Sequence, residues 1–376
     1  MRIFSSLKNK TRITSIFSSF ALGMVAFGPF TAEAQQDSTQ HKPRFTKDIF
    51  FEDYSDKIHI NPFVFNVDNG FELRGKTNIR YKPNQAVGLG LRFTHRWLSL
   101  AIAYEPKAVQ EERYGATDHL DLTLNTYGKR IGADLYYLRY KGYYIANPQN
   151  TPELAPHYKK TFPIYPDLST LNLGFNVCYI FNHKKYSYRS TFLHNDIQRK
   201  SAGSVILTAS YSYYRSQSDT GVIPQELFTY FPEDSRITNG SFHSMSIMPG
   251  YSYTLVGLQR LFVTFAPSVG PMLQFQTYSV ANSPVQQTRT DIVPRAMLKA
   301  GFGFNSRKFF IGYSGMIDSY IVRLTKDQDL NYFINSSQVY FGIRIGVPKP
   351  LEKASAFIDR YDPRRLLFKQ NQPQTQ

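Results

Sequence analysis

From residue 71 to residue 347 the chain alternates apolar and polar side chains with a period of two, in stretches of about ten residues. In Asp121–Ile145 (DLTLNTYGKRIGADLYYLRYKGYYI), Leu122 and Leu124 share one face while Asp121, Thr123 and Asn125 share the other. Successive strand side chains point to opposite sides, so each stretch has one face for oil and one for water. After Gly128-Lys129-Arg130 the pattern resumes, with Ile131, Ala133, Leu135 and Tyr137 opposed by Gly132, Asp134 and Tyr136. This predicts a hairpin with Asp134 on the polar side. The cleanest run is Leu171, Leu173, Phe175, Val177, Tyr179 and Phe181, alternating with Asn172, Gly174, Asn176, Cys178, Ile180 and Asn182. Similar ladders end at Val339, Phe341, Ile343, Ile345 and Val347, set against Arg344 among small residues.

Repeated amphipathic hairpins of this length predict an all-β, transmembrane antiparallel up-and-down β-barrel. Thirteen segments can be counted from Phe71. Because both chain ends must lie on one side, and the alternation fails between His194 and Ser241, the expectation is about twelve strands, with fourteen as the alternative. Short turns at Gly128, His183 and Arg307 point to the periplasmic side, and long loops at Glu105–His119 and Ala146–Asp167 to the outside. Asp68-Asn69-Gly70 predicts a tight hairpin turn, and Pro62 places residues 57–67 at an edge or outside the barrel. Ile223–Leu227 (IPQEL) predicts a short helical turn opened by proline. The same apolar faces would also suit a soluble periplasmic β-sandwich, which buries them against one another.

The amino terminus adds a destination. Arg2, Lys8, Lys10 and Arg12 precede a mostly apolar run, residues 13–30, and Ala32-Glu33-Ala34 supplies a small-residue cleavage pattern. Residues 1–34 therefore read as a signal peptide cut after Ala34, residues 35–69 as a periplasmic lead-in with a possible short strand, 70–347 as the barrel and 348–376 as a polar tail. Composition agrees. Aromatics make up 15% of the chain, with 27 Tyr and 30 Phe, while a mean hydropathy of -0.36 excludes a bundle of apolar spanning helices.

The net charge of +16 falls to about +13 once the signal segment is removed. No basic helix or stacking motif points to nucleic acid, so the excess is assigned to anionic lipid headgroups and lipopolysaccharide, with an envelope protein as a further possible partner. With a single cysteine, Cys178, and no paired histidines at helical spacing, neither a metal nor a cofactor is expected.

Four ordered runs, Asp121–Tyr144, Phe181–Arg189 (FNHKKYSYR), Gln198–Ser204 (QRKSAGS) and Ile223–Leu227, resemble the DUF4421 family of Gram-negative outer-membrane barrels. The resemblance covers nearly all of the mature chain. It implies location and architecture, and carries no catalytic or ligand-binding assignment. The tail after Val347 departs from barrels that end on a terminal aromatic strand.

With the apolar faces outward, the inward candidates are Arg92, Asp134, Asn172, Asn176, Lys299, Asp318 and Arg344. Buried charges must be hydrated or paired. Two readings follow: a narrow basic-lined channel for an anionic solute, or a lumen filled by paired charges and small residues in a structural or envelope-assembly barrel. A barrel-embedded lipid-modifying enzyme would use His243-Ser244, but neighbouring strand residues face opposite sides. The expectation is no enzyme. Tyr136, Tyr137, Tyr140, Tyr143 and Tyr144 suggest an interfacial girdle or a carbohydrate surface. Lys129-Arg130 and His183-Lys184-Lys185 suggest solvated turns or a periplasmic contact.

Overall fold

The alternating stretches become β1 (Phe51–Asp53), β2 (Ile58–Arg74), β3 (Ile79–Lys82), β4 (Gly88–His95), β5 (Leu98–Tyr104), β6 (Asp118–Tyr127), β7 (Ile131–Ile145) and β8 (Ile164–Ile180). Helix α1 (Arg189–Phe192) and β9 (Asp196–Gln198) follow, then β10 (Ala202–Gln217), β11 (Ile237–Gly257), β12 (Leu261–Val280), β13 (Gln287–Asn305), β14 (Phe309–Arg323), β15 (Asp329–Ile345) and helix α2 (Glu352–Arg360). The computed structural model describes residues 49–360 apart from 86, 97, 106–110, 153, 220, 232–235, 281–284 and 324–327. The expected signal segment, with the expected cleavage residues Ala32 and Ala34, lies outside the described residues.

Every hydrogen-bonded pairing is antiparallel, and ten strands form a closed ring: β2, β3, β7, β8, β10, β11, β12, β13, β14, β15 and back to β2. Strands β4 and β5 continue the sheet from the lower half of β2, and β6 from β7. The closed ring thus has ten strands, with β4, β5 and β6 paired onto it as additional strands. The fold is an antiparallel transmembrane-type barrel.

Burial follows the alternation. Ile102, Ile247, Phe265, Phe302 and Phe341 all point outward and are largely exposed, while their neighbours face the lumen. An apolar belt running round the whole wall far exceeds the patches that soluble monomers tolerate. The apolar faces turn away from one another, so the β-sandwich alternative does not hold.

Two expectations at the start of the barrel need correction. β2 runs unbroken from Ile58 to Arg74 and pairs with β15 along most of its length, so the wall begins near 58 rather than at 70. Pro62 is accommodated because the ladder to β15 skips there, passing from Phe63 opposite Tyr340 to Ile60 opposite Ile343. Asp68-Asn69-Gly70 makes no turn. Gly70 is needed for close approach, since a Cβ there would sit 2.6 Å from the Tyr81 carbonyl oxygen and 2.7 Å from the Phe333 ring.

One end of the barrel carries the tight connections at 128–130, 258–260 and 306–308, together with the start of β2 and the end of β15. By the usual asymmetry of such barrels this is the periplasmic end. The expected short turn at His183 is instead the first part of a 21-residue segment, 181–201, which folds into the lumen. It carries α1 and β9, and β9 pairs with β1 to make a small second sheet. The opposite mouth is closed by Leu154, Val222, Ile223, Leu227 and Phe231 from the long loops, packed on Tyr81, Tyr214, Tyr320 and Tyr332. Ile223–Leu227 does form the expected turn, a short helix at Gln225–Leu227 after Pro224.

Candidate functional site

Parity along each strand decides which polar groups enter the lumen, and burial decides what they must do there. Arg92, Asp134, Asn172, Asn176, Lys299, Asp318 and Arg344 are all buried, none more than 8% exposed, as is Cys178. An isolated buried charge would cost several kcal/mol, so each must find a partner or hydration.

Lys299 finds its partner across the barrel. It lies on β13 and its Nζ donates to Asp134 Oδ2 on β7 at 2.5 Å and to the Tyr127 hydroxyl at 2.9 Å. Tyr127 in turn donates to the other Asp134 oxygen. β7 and β13 are separated by four other strands, β8, β10, β11 and β12, so this contact crosses the lumen. The ammonium is also enclosed by the rings of Tyr127, Tyr188 and Phe192, at 5.3, 5.8 and 6.0 Å from their centroids. Asp318 is engaged by the neighbouring strand, where Arg295 makes a two-pronged contact at 3.0 and 2.6 Å. Nearer the other mouth Tyr214 on β10 and Tyr332 on β15, again on opposite sides, pack with ring centroids 4.6 Å apart.

The inserted segment brings its own charges. Arg189 donates to both oxygens of Asp196, at 3.1 and 2.7 Å, and to Asp53 at 3.1 Å. Burial works against the Arg189 cation, but the two carboxylates outweigh it and hold the guanidinium firmly charged. His194 stacks on Phe310 and packs tilted against Tyr340, with ring centroids 4.5 and 4.3 Å away. Burial first, and then the positive charges of Arg344 and Arg92, hold its imidazole well below the ordinary range.

Arg344 and Arg92 differ from the other lumen cations. Arg344 donates to the Ser306 carbonyl, to the His194 carbonyl at 2.6 Å and to Asn305 Oδ1 at 2.8 Å. Arg92 makes one hydrogen bond, 3.1 Å to Gln338 Oε1, and lies 4.8 Å above the Phe63 ring.

Arg295, Arg189, His194 and Asp196 were missed by sequence reasoning. Arg295 was within reach, because Ala296 and Leu298 are placed outward and parity then turns Arg295 inward. The other three sit where the alternation breaks, and no local signal marks them.

The tyrosine expectation also needs correction. Tyr136, Tyr140 and Tyr143 are buried in the lumen, while Tyr137 and Tyr144 are half-buried. Pairing of β7 with β8 shifts register between Lys141 and Tyr143 at Gly142, whose φ is 93°. This bulge turns Tyr143 to the side already occupied by Tyr140. His243 points out of the wall and bonds Tyr211 at 2.9 Å, whereas Ser244 is buried on the opposite face. The two do not form a dyad. The basic turns do meet: Arg130 Nε lies 3.1 Å from His183 Nε2.

A closed antiparallel barrel with an apolar outer belt and a lumen crossed by ion pairs belongs to the outer-membrane β-barrel class. The chain belongs to the DUF4421 family, described as a domain of unknown function, which matches residues 37–345. Among curated proteins none matches the sequence. Solved structures similar to it include the outer membrane protease OmpT from Escherichia coli, at 8% identity and a TM-score of 0.35, covering 78% of this chain and 98% of that one. The toluene transporter TodX of P. putida is similar at 9% identity and a TM-score of 0.28, covering 77% and 90%. The translocator domain of the autotransporter NalP from Neisseria meningitidis is similar at 9% and 0.31, covering 77% and 88%. Likeness at this level carries no argument about activity.

Proposed function

We propose that the chain is exported to the Gram-negative outer membrane and serves there as a filled barrel, a structural or envelope-assembly element without enzymatic activity. The observation that supports this is the Lys299–Asp134 pair, which joins opposite walls in mid-lumen. It has the inserted segment on one side and the aromatic packing of the long loops on the other. Direct side-chain contact across the lumen, with buried groups packed on both sides of it, supports a filled interior at that level. The external surface is then the working part: an apolar belt for lipid, and basic turns around Arg130 and His183 facing anionic headgroups or an envelope protein.

Planar-bilayer recording on refolded protein tests the reading. The intact chain is expected to give no stepwise current, and a variant lacking residues 186–197 to give one. Reproducible anion-selective steps from the intact chain would overturn the filled barrel in favour of the narrow basic-lined channel.

A further inference from the structure

Charge within the lumen does not balance, and the excess is localised. Arg189 is held by Asp196 and Asp53, Arg295 by Asp318 and Lys299 by Asp134, and each of those carboxylates is already engaged. Arg92 and Arg344 are buried at 2% and 7% exposure, and among the described residues neither has a carboxylate at ion-pair distance. The two lie close together. Arg344 is opposite His59 in the β15–β2 register, and Arg92 is opposite Asn61, two residues further along β2 on its other edge. The aromatic pair Phe310 and Tyr340 links them, since the Arg344 guanidinium lies 4.7 Å above Phe310 and the Phe310 and Tyr340 ring centroids are 6.1 Å apart.

Arg344 is largely satisfied by its three oxygen partners. Arg92 is not. Its one acceptor is Gln338, which itself donates onward to Ser314 at 3.0 Å, and its Nε has no partner. Buried beside it, the Tyr340 hydroxyl, 1% exposed as a residue, also ends without a partner. With the Arg344 Nε, which also has no partner, three unsatisfied donors and two guanidiniums without a carboxylate partner in one desolvated region are costly in isolation. Together they match the chemistry of a small oxyanion, which supplies several acceptors and the missing negative charge in one group.

From this arrangement we infer that the periplasmic half of the lumen is a binding site for a small oxyanion of phosphate or carboxylate type. Arg92 and Tyr340 contact it, and Arg344 supplies the supporting positive field. Lys299, which by parity belonged with these cations, takes no part because Asp134 neutralises it. The site does not require the barrel to conduct, and an ion held there would cement β2, β4 and β15 to the inserted segment.

The test is a titration of the refolded full chain in detergent, starting in chloride buffer. Inorganic phosphate in one arm and acetate in the other are added at constant ionic strength, and the urea unfolding midpoint is followed. A saturable rise is expected in at least one arm, and which arm responds assigns the anion as tetrahedral or planar. Arg92→Gln is expected to raise the half-saturating concentration by at least roughly tenfold, and Arg92→Lys, which keeps charge but loses the fork, by less. Should Arg92→Gln fail to refold, Tyr340→Phe removes only the hydroxyl and is expected to weaken the response several-fold. Absence of a saturable response in both arms means that water alone solvates the arginines, and overturns the site. A response of unchanged half-saturation in these variants would overturn it equally.

Discussion

Removing one member of the diametric pair gives the most direct measure of how the lumen is held. Lys299→Met leaves Asp134 enclosed with only the Tyr127 hydroxyl as partner, in a place where the two charged side chains are 9% and 11% exposed. At 2.5 Å, with an effective dielectric of about 20, their direct attraction is roughly 7 kcal/mol. Desolvation offsets most of that for the intact pair, and when a single charge is left behind its desolvation cost remains while the attraction is gone. The single substitution is therefore expected to cost about 3–5 kcal/mol, and Asp134→Leu a similar amount. The double variant Lys299→Met/Asp134→Leu replaces the pair by apolar groups of related volume and is expected to recover most of the loss. Equilibrium urea unfolding in lipid vesicles, followed by the fluorescence of the single Trp97, measures all four corners of the cycle. If the two single effects simply add, within about 0.5 kcal/mol, then Lys299 and Asp134 do not meet across the lumen and the filled barrel loses its main support.

Other consequences are open to measurement. His194 is neutral in the folded chain because burial and the surrounding cations lower its pKa, whereas unfolded it takes up a proton near pH 6.5. The unfolded state then binds more protons, so stability is full above about pH 6.5 and falls at lower pH by up to roughly 1.4 kcal/mol per unit. In phosphate-free buffer His194→Phe should flatten that slope between about pH 6.5 and 5, and parallel profiles for variant and parent would contradict the assignment. Gly142→Ala forces a side chain onto a backbone with φ of 93° and against the Ala116 carbonyl. A loss of about 1–3 kcal/mol is expected from chemical unfolding, and an unchanged midpoint would mean that the bulge in β7 is not held as described. Arg189→Met leaves Asp196 buried without its cation, so the inserted segment should become open to limited proteolysis in the folded barrel. Equal resistance of parent and variant would argue that packing alone retains the segment.

Much of the wall was legible because alternation is a local property. A residue's side of a strand depends only on its parity, so Leu122, Phe175, Ile247 and Phe341 declare the outer face, and Arg92, Asp134 and Lys299 the inner one, without knowledge of any partner strand. Parity fails where the chain breaks register. The bulge at Gly142 shifted Tyr143 inward, and the straight passage of β2 through Asn69-Gly70 turned an apparent hairpin into wall. Nor does parity carry any information about distance across the lumen. Lys299 and Asp134 are 165 residues apart, and their meeting depends on how many strands close the ring and how they stagger. The same holds for segment 181–201, whose lack of periodicity in its second half reads as loop. Only closure of the barrel gives it an interior to fill, and with it the partners of Arg189, His194 and Arg344. The sequence by itself thus determined the strands and which face of each is apolar, while closure of the sheet decided for a barrel over a sandwich. Whether the enclosed charges are neutralised in pairs or left in excess was decided by the tertiary structure, because a charge's partner is chosen by proximity through space.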